Sequence, residues 1–562
     1  MTRYFRASFP QAVVGLACFI TAAAGFASAP DTSKRPVNLL FIMTDQQRFD
    51  ALGCAGNKVI RTPNLDRLAG EGARFENAYS GCPVCVPART VILTGHSIES
   101  TKVTNNKDIR RTDVPDVPTF DQLLLRHGYR GEYHGKWHSP YQFALDYNRP
   151  VRWVNGKRPS GSRAEISESE ALVKYIEENV PSRPLRPGEL VANMYRRPYQ
   201  PDPLDGAYGK GQADVSQGTS YGCLDVPPEH THTAWTAKEG LEGLERLKDG
   251  PFTLTISIGP PHPPMVLPRP YYGMYPAAEM PVPASIDDPR ADSPYRKVGG
   301  GKDPAYRDED NVRQMISDYY GLVTEVDDWV GRILNRLDEL GLADNTLVVF
   351  TSDHGEMLGD HGMYSKFVFY EGSVHVPLVM RLPGVIPAHS VVKAPVSHLD
   401  LFATILDYCG MAASESEGES LRPLIEGKSD GAGRFVVSEW QSTAFPGFMV
   451  FDGRRKLLFG RSADARSLDA LYDLENDPNE LHNLLADKFD WEKHRGEAER
   501  LKRLLVGWLE RVRSPHLDSV KARAITLQAK QTGEKAADIQ PMMCVRGQRL
   551  TLAYPAGRRS HP

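Results

Sequence analysis

Two apolar runs, far apart in the chain, limit what it can fold into. Residues 37–44 read Val-Asn-Leu-Leu-Phe-Ile-Met-Thr and residues 346–352 read Thr-Leu-Val-Val-Phe-Thr-Ser. A strand with one wet face alternates apolar and polar side chains. These runs barely alternate, so each is expected to be buried on both faces, as in a parallel sheet covered by helices. Shorter strands are predicted at 129–133, 252–258 and 376–380, and helices at 62–72, 120–127 and 235–247. Residues 312–340 carry Ile316, Tyr319, Val323, Val326, Val330, Ile333 and Leu337 at helical spacing, which predicts one long amphipathic helix. Strand and helix alternate, so the fold class is α/β, with a large, mainly parallel sheet flanked by helices.

The texture changes after residue 427. Short strands at 435–440, 447–452 and 456–459, then a helix at 491–512, predict a small C-terminal α+β domain with an antiparallel sheet. A chain of 562 residues is too long for one ordinary core. The expected division is a signal peptide at 1–29, a large catalytic domain at 30–427, the small domain at 428–513 and an irregular tail at 514–562. Two proline- and glycine-rich stretches, 141–229 and 268–306, read as insertions that form a substrate rim.

Charge is nearly balanced, 67 Lys and Arg against 71 Asp and Glu, for a net charge of -4. That excludes a basic nucleic-acid binder and an acidic disordered chain. Arg3 and Arg6 precede an apolar stretch at 12–26 and then Ala27-Ser-Ala29, the layout of a secretory signal. The expected location is periplasmic or secreted. No later run reaches about 18 apolar residues, so no membrane span is expected once the signal is removed. The 7 cysteines are scattered and form no disulfide framework.

Both long apolar runs end in acid: Asp45-Gln46 after the first and Asp353-His354 after the second. Ligands of open α/β sheets bind at the carboxyl ends of the strands, and two carboxylates brought there from distant positions suggest a divalent cation. The alternative is a pair of aspartates that cap helices. Between them lies Gly81-Cys-Pro-Val-Cys-Val-Pro-Ala-Arg89, followed by Thr94-Gly95. Cys82 and Cys85 have the spacing of a redox pair. The second reading begins at Cys85: Cys-x-Pro-x-Arg, with Thr-Gly beyond.

That second pattern resembles the signature of the type I, formylglycine-dependent sulfatases. Further segments resemble the family's motifs in the same order: Gly135-Lys-Trp-His138, Gly259-Pro-Pro-His-Pro-Pro264, Thr351-Ser-Asp-His-Gly-Glu356, Tyr364-Ser-Lys366 with Tyr370-Glu371, and Leu471-Tyr-Asp-Leu with Asp477-Pro-Asn-Glu480. One five-residue match is modest evidence, but an ordered series over residues 37–512 is not. The resemblance implies an alkaline-phosphatase-like fold and hydrolysis of a sulfate monoester.

It also implies roles. Cys85 would be oxidised to formylglycine by a formylglycine-generating enzyme, and one hydroxyl of the aldehyde hydrate would attack sulfur. The metal ligands would be Asp45, Gln46, the modified Cys85, Asp353 and His354. Oxygen-rich ligation makes calcium the first expectation. Many sulfatases carry Asp-Asp and Asp-Asn where this chain has Asp-Gln and Asp-His, so magnesium and manganese stay open. Arg89 would steady the hydrate. Lys136 and Lys366 would grip sulfate oxygens, with His262 on the same sulfate. His138 is the candidate base, and His262 the candidate acid for the leaving alcohol, a role Lys366 can share. The expected substrate is a sulfated small molecule or oligosaccharide.

Other residues read as structural: His230 and His232 as surface, His134 as packing, Trp440 as core, Asn105 and Asn106 as turn or substrate contacts, and His361 as a neighbour of the site. Two competing functions are a phosphonate monoester or phosphodiester hydrolase of the same superfamily, and a non-catalytic carbohydrate-binding protein with an unmodified Cys85.

Overall fold

A computed structural model describes residues 35–141, 175–180, 190–192, 197–201, 221–296, 308–413, 416–441, 445–461, 468–486 and 491–526. The predicted signal segment and the tail beyond residue 526 lie outside the described residues.

The first apolar run forms the strand Asn38–Asp45, buried at every residue, in the interior of a seven-stranded sheet. It pairs in parallel with Thr346–Ser352 on one side and with Phe252–Pro261 on the other. Arg130–Gly135 adds a parallel strand at one edge. Beyond Thr346–Ser352 come Leu378–Arg381 and Ala73–Phe75 by antiparallel pairing, then Ser390–Val392 parallel to the last. The sheet is therefore mainly parallel, as the unalternating runs required.

Both faces are covered, and alternate residues of the central strand serve different layers. Leu40 and Ile42 pack with Val348, Phe350, Leu254 and Ile256 beneath the helices Pro63–Gly70, His232–Leu247 and Glu309–Glu339. Leu39, Phe41 and Met43 face the opposite way, onto Cys85–Thr94, Phe120–Arg126 and Leu399–Tyr408. Each such side chain stabilises the fold by roughly 1.5–3 kcal/mol on burial.

The second sheet is antiparallel, in the order Val436–Gln441, Pro446–Phe451, Arg455–Gly460, Ala470–Asp473. Its fourth strand coincides with the Leu471-Tyr-Asp-Leu motif, which the sequence reading had not made a strand. Ala498, Leu501, Leu505, Trp508 and Leu509 of the helix Trp491–Arg511 are buried in the core it shares with this sheet. Tyr79, Cys82, Val84, Val91 and Ile98 belong to the same core, so the small sheet is packed directly against the segment around Cys85.

Three local readings differ from the structure. The stretch after Ser514, expected to be irregular, holds a short helix, Leu517–Ala522, with Val520 buried. His232, expected at the surface, is buried in the first turn of its helix, with its ring under Gly259. The helix Cys85–Thr94 was not anticipated. All of its residues are buried, so it has no polar face to give it a period. No helix among the described residues is long and apolar enough to cross a membrane.

Candidate active site

The two acidic strand ends meet. Because Asn38–Asp45 and Thr346–Ser352 are parallel neighbours in register, their next residues leave the sheet at the same edge. Gln46 sits at φ 69°, in the left-handed region, and its backbone N–H donates to Asp353 Oδ1 at 3.1 Å. Asp45, Gln46, Asp353 and His354 are all buried.

Cys85 is the first residue of its helix, where the macrodipole places partial positive charge. Its Sγ lies 3.0 Å from His354 Nε2 and 3.9 Å from Asp45 Oδ1. Asn106 Oδ1 accepts from Val86 N at 3.1 Å, so this asparagine serves the open helix terminus. Asn105 caps a short turn of its own.

Arg89 lies one helical turn beyond Cys85, on the same side. It is fully buried and donates to Asp353 Oδ2 at 2.7 Å, Asp45 Oδ2 at 3.1 Å, Ser257 Oγ at 2.8 Å and the Lys136 carbonyl at 2.7 Å. Four of the five guanidinium donors are thus taken by the chain itself. Arg89 fixes the two carboxylates relative to each other.

Lys136 Nζ lies 2.5 Å from Asp45 Oδ2. Gly135 lets it approach: a Cβ there would stand 2.0 Å from the Ser257 carbonyl oxygen, and its φ is 92°. His138, also left-handed at φ 51°, buries Nδ1 with no hydrogen-bond partner. His262 Nδ1 is 2.7 Å from the Pro263 carbonyl, and its Nε2 is 4.0 Å from Asp45 Oδ1. Lys366 donates to Gln46 Oε1. Every residue expected at the site therefore stands at this one strand-end crevice.

The electrostatics follow from burial among opposed charges. Burial pushes the Asp45 carboxyl up, but Lys136, His262 and Arg89 outweigh it and hold the group well below the usual range. Asp353 stays raised by burial and by Asp45. Burial and Asp45 oppose ionisation of Cys85, yet Lys366, Lys136 and His354 bring its thiol well below its ordinary value. Burial and then Lys136 lower His138 to about 4, so its ring is neutral near pH 7.

The donor set suits a cation. One ligand atom from each of Asp45, Cys85, Asp353 and His354 can be chosen so that all lie within 4.8 Å of one another. His354 Nδ1 is 2.9 Å from the Gly355 carbonyl, which places a proton on Nδ1 and leaves the Nε2 lone pair facing inward. Asp353 and Cys85 raise the proton affinity of that imidazole against burial, and a cation can take the proton's place.

Three contributors escaped the motif reading. Ser257 bridges Arg89 and the Lys136 carbonyl, Ser80 donates to the Asp353 carbonyl at 2.6 Å, and Glu356 accepts from Gln46 Nε2. Glu356 had a signal, since it closes Thr351-Ser-Asp-His-Gly-Glu356. Ser257 and Ser80 had none. His361 is held away from the crevice chemistry, with Nδ1 2.6 Å from Asp288 and its ring stacked on Tyr370. His134 pairs with Glu132, and Trp440 is buried in the core beside Phe367.

The sulfatase family profile matches residues 37–411, and a second profile, N-sulphoglucosamine sulphohydrolase, C-terminal, matches 359–505. The chain belongs to the sulfatase family. It is accordingly a sulfuric ester hydrolase of the alkaline-phosphatase-like superfamily. N-acetylglucosamine-6-O-sulfatase of Bacteroides thetaiotaomicron is 29% identical over 525 residues, covering 84% of this sulfatase and 86% of that one. The solved phosphonate monoester hydrolase of Silicibacter pomeroyi aligns with a TM-score of 0.66 at 25% identity, covering 86% of this chain and 96% of that one. A structure described as a complex with its substrate D-glucosamine-2-N,6-O-disulfate has a TM-score of 0.64 at 22% identity, covering 87% and 100%. At that identity the likeness is one of fold.

Proposed function

We propose that this sulfatase is exported and hydrolyses the sulfate monoesters of a carbohydrate. Cys85 would be matured to formylglycine by a formylglycine-generating enzyme. Asp45, Gln46, residue 85, Asp353 and His354 would hold one divalent ion, calcium first, with magnesium or manganese as alternatives. The observation that carries this reading is Cys85 itself, which stands at a helix N-terminus 3.0 Å from His354 Nε2, among buried carboxylates. A hydrated aldehyde there would supply a nucleophilic oxygen and a second hydroxyl able to expel sulfate, and the cation would polarise the ester.

The chain's own residues do the rest. Arg89 sets the separation of Asp45 and Asp353, so the site is preorganised before substrate arrives. Lys136 and Lys366 flank the crevice and supply positive charge for the non-bridging sulfate oxygens. His138 hydrogen-bonds to residue 85 and is neutral near pH 7, so its ring is placed and free to accept a proton from the hydrate, as a weak base. His262 Nδ1 faces the Pro263 carbonyl and so carries a proton, and Nε2 faces the crevice, from which the imidazolium form would donate a proton to the departing alcohol. A sugar substrate is supported by the N-acetylglucosamine-6-O-sulfatase relative, and export by the apolar stretch at 12–26 and the Ala27-Ser-Ala29 that follows.

The first test is the mass of the tryptic peptide 75–89 from protein made in its native host. Loss of the thiol in favour of an aldehyde or its hydrate is expected. An intact thiol, or a bond to Cys82, would overturn the mechanism. A second reading, phosphonate monoester hydrolysis, is favoured by Gln46 and His354 at the metal positions and by the solved hydrolase it resembles. Turnover of an aryl sulfate above that of an aryl phosphonate on the same protein is expected, and the reverse order would favour that second reading.

A further inference from the structure

We infer that Glu356 is a positioning residue: it fixes which end of the Gln46 amide meets the cation, and it ties that ligand to the loop bearing Lys366. The inference rests on the metal reading above. Glu356 is buried. Its Oε2 accepts from Gln46 Nε2, while its Oε1 accepts from the backbone N–H of Ser365 and, at 3.1 Å, of Leu358. A second bond joins the same segments, Met357 N to the Ser365 carbonyl at 2.7 Å.

An amide side chain has two ends of similar shape and opposite hydrogen-bonding sense. At Gln46 the neighbours choose between them. The Lys366 ammonium can only donate and sits on Oε1. The Glu356 carboxyl oxygens accept from three N–H donors, and Oε2 sits on Nε2. A flipped amide would set donor against donor at Lys366 and acceptor against acceptor at Glu356. Only the oxygen end can ligate a cation, so Glu356 keeps Gln46 a ligand.

The same carboxylate steadies the lysine. Lys366 lies between two non-glycine residues in the left-handed region, Ser365 at φ 68° and Phe367 at φ 81°. Such backbone persists only where its surroundings hold it. Glu356 and Met357 grip Ser365 on one side, and Phe367 N donates to the Pro83 carbonyl at 3.3 Å on the other.

Glu356→Gln separates this role from a structural one. Its remaining carbonyl oxygen can still serve Ser365 and Leu358, but its NH2 confronts the Gln46 NH2, and Gln46 must turn its oxygen away from Lys366. The exchange Gln46→Glu with Glu356→Gln restores the complement at unchanged net charge, since a carboxylate at 46 accepts from the new amide and still offers oxygen to Lys366 and the ion. Metal-free wild type, Glu356→Gln and the exchange variant would each be titrated calorimetrically with calcium and, in parallel, manganese. The expected result is one site in the wild type, affinity at least about tenfold weaker in Glu356→Gln with its metal-free melting temperature unchanged, and recovery to within about threefold in the exchange variant. If Glu356→Gln fails to fold, an exchange variant that folds and binds like the wild type supports the inference, and one that does not overturns it. Wild-type affinity in Glu356→Gln, or an exchange variant as weak as the single one, also overturns it. A wild type that binds neither ion would sink the metal reading and this inference together.

Discussion

Two buried charge clusters in this molecule look alike in composition and differ in kind. One is the strand-end crevice with Asp45, Asp353, Arg89, Lys136 and Cys85. The other lies where the antiparallel sheet packs on the segment around Tyr79 and Glu371. There Lys456 Nζ pairs with Glu371 Oε1 at 2.7 Å and Glu480 Oε1 at 2.8 Å, while Tyr79 and His375 complete Glu371 Oε2 at 3.0 and 2.8 Å. The second cluster closes around Lys456: both carboxylates lie at ion-pair distance from its ammonium, Glu480 Oε1 by charge without a hydrogen bond, and Glu480 Oε2 accepts from the Glu371 N–H. In the first, His138 Nδ1 is buried unmet, a thiol stands against an imidazole, and Gln46, His138 and Ser365 have left-handed backbone. A closed cluster makes a joint. A cluster left incomplete by its own chain is one a ligand completes.

Cys85→Ala separates the two most sharply. Removing a nucleophile should lower turnover of an aryl sulfate by at least about 10⁴-fold, while the metal-free melting temperature barely moves. Turnover within tenfold of the wild type would place the chemistry elsewhere. Chelation comes next. Dialysis against EDTA should cut kcat/KM by about 10²-fold or more and lower the melting temperature, and calcium or manganese should restore both. Unchanged melting and activity after verified metal removal would make the crevice as self-sufficient as the joint.

At the joint the effect should be on stability. Burial pushes the Glu371 carboxyl up, but Lys456 and His375 pull it down to about 2, whereas burial dominates at Glu480 and leaves it near 6. Lys456→Met leaves two buried carboxylates facing each other and should cost about 3–5 kcal/mol in denaturant unfolding. The KM of the folded fraction should hold, and a raised KM at unchanged stability would break the contrast. Lys456→Met combined with Glu371→Gln and Glu480→Gln should recover much of that loss.

Much of this contrast was legible in the sequence on the crevice side and almost none on the joint side. Asn38–Asp45 and Thr346–Ser352 advertise themselves because double burial removes alternation, and their acidic ends then mark the crevice. Glu309–Glu339 was legible because its large apolar residues keep helical spacing from Ile316 to Leu337, although residues 315–327 are buried all round. The helix Cys85–Thr94 was not, because burial on all sides erases the period by which a helix is found. Ser257 supports Arg89 from within a strand that reads as ordinary. Lys456, Glu371 and Glu480 come from three separate segments, and nothing local in any of them announces that their charges will be buried together.

Glu325 offers a last test, because it is a buried acid whose shift has no cation among its causes. It lies in the helix Glu309–Glu339 and accepts from Thr231 Oγ1. Burial raises its carboxyl from 4.5 to about 8, the opposite of Glu371. The sign follows from proton counting. Below about pH 4.5 the group is protonated in folded and unfolded chains alike and adds no pH dependence. Between that value and about 8 the unfolded chain has released its proton and the folded one has not, so stability falls as pH rises. Glu325→Gln keeps the carbonyl oxygen for Thr231 and removes the proton from the balance. It should therefore match the wild type near pH 4.5 and exceed it by up to about 4 kcal/mol at pH 8, read from urea unfolding at the two pH values. A variant less stable than the wild type at pH 8 would mean that this carboxyl is ionised in the fold, with a counter-charge beside it, and that the joint's way of holding acids extends to the helix as well.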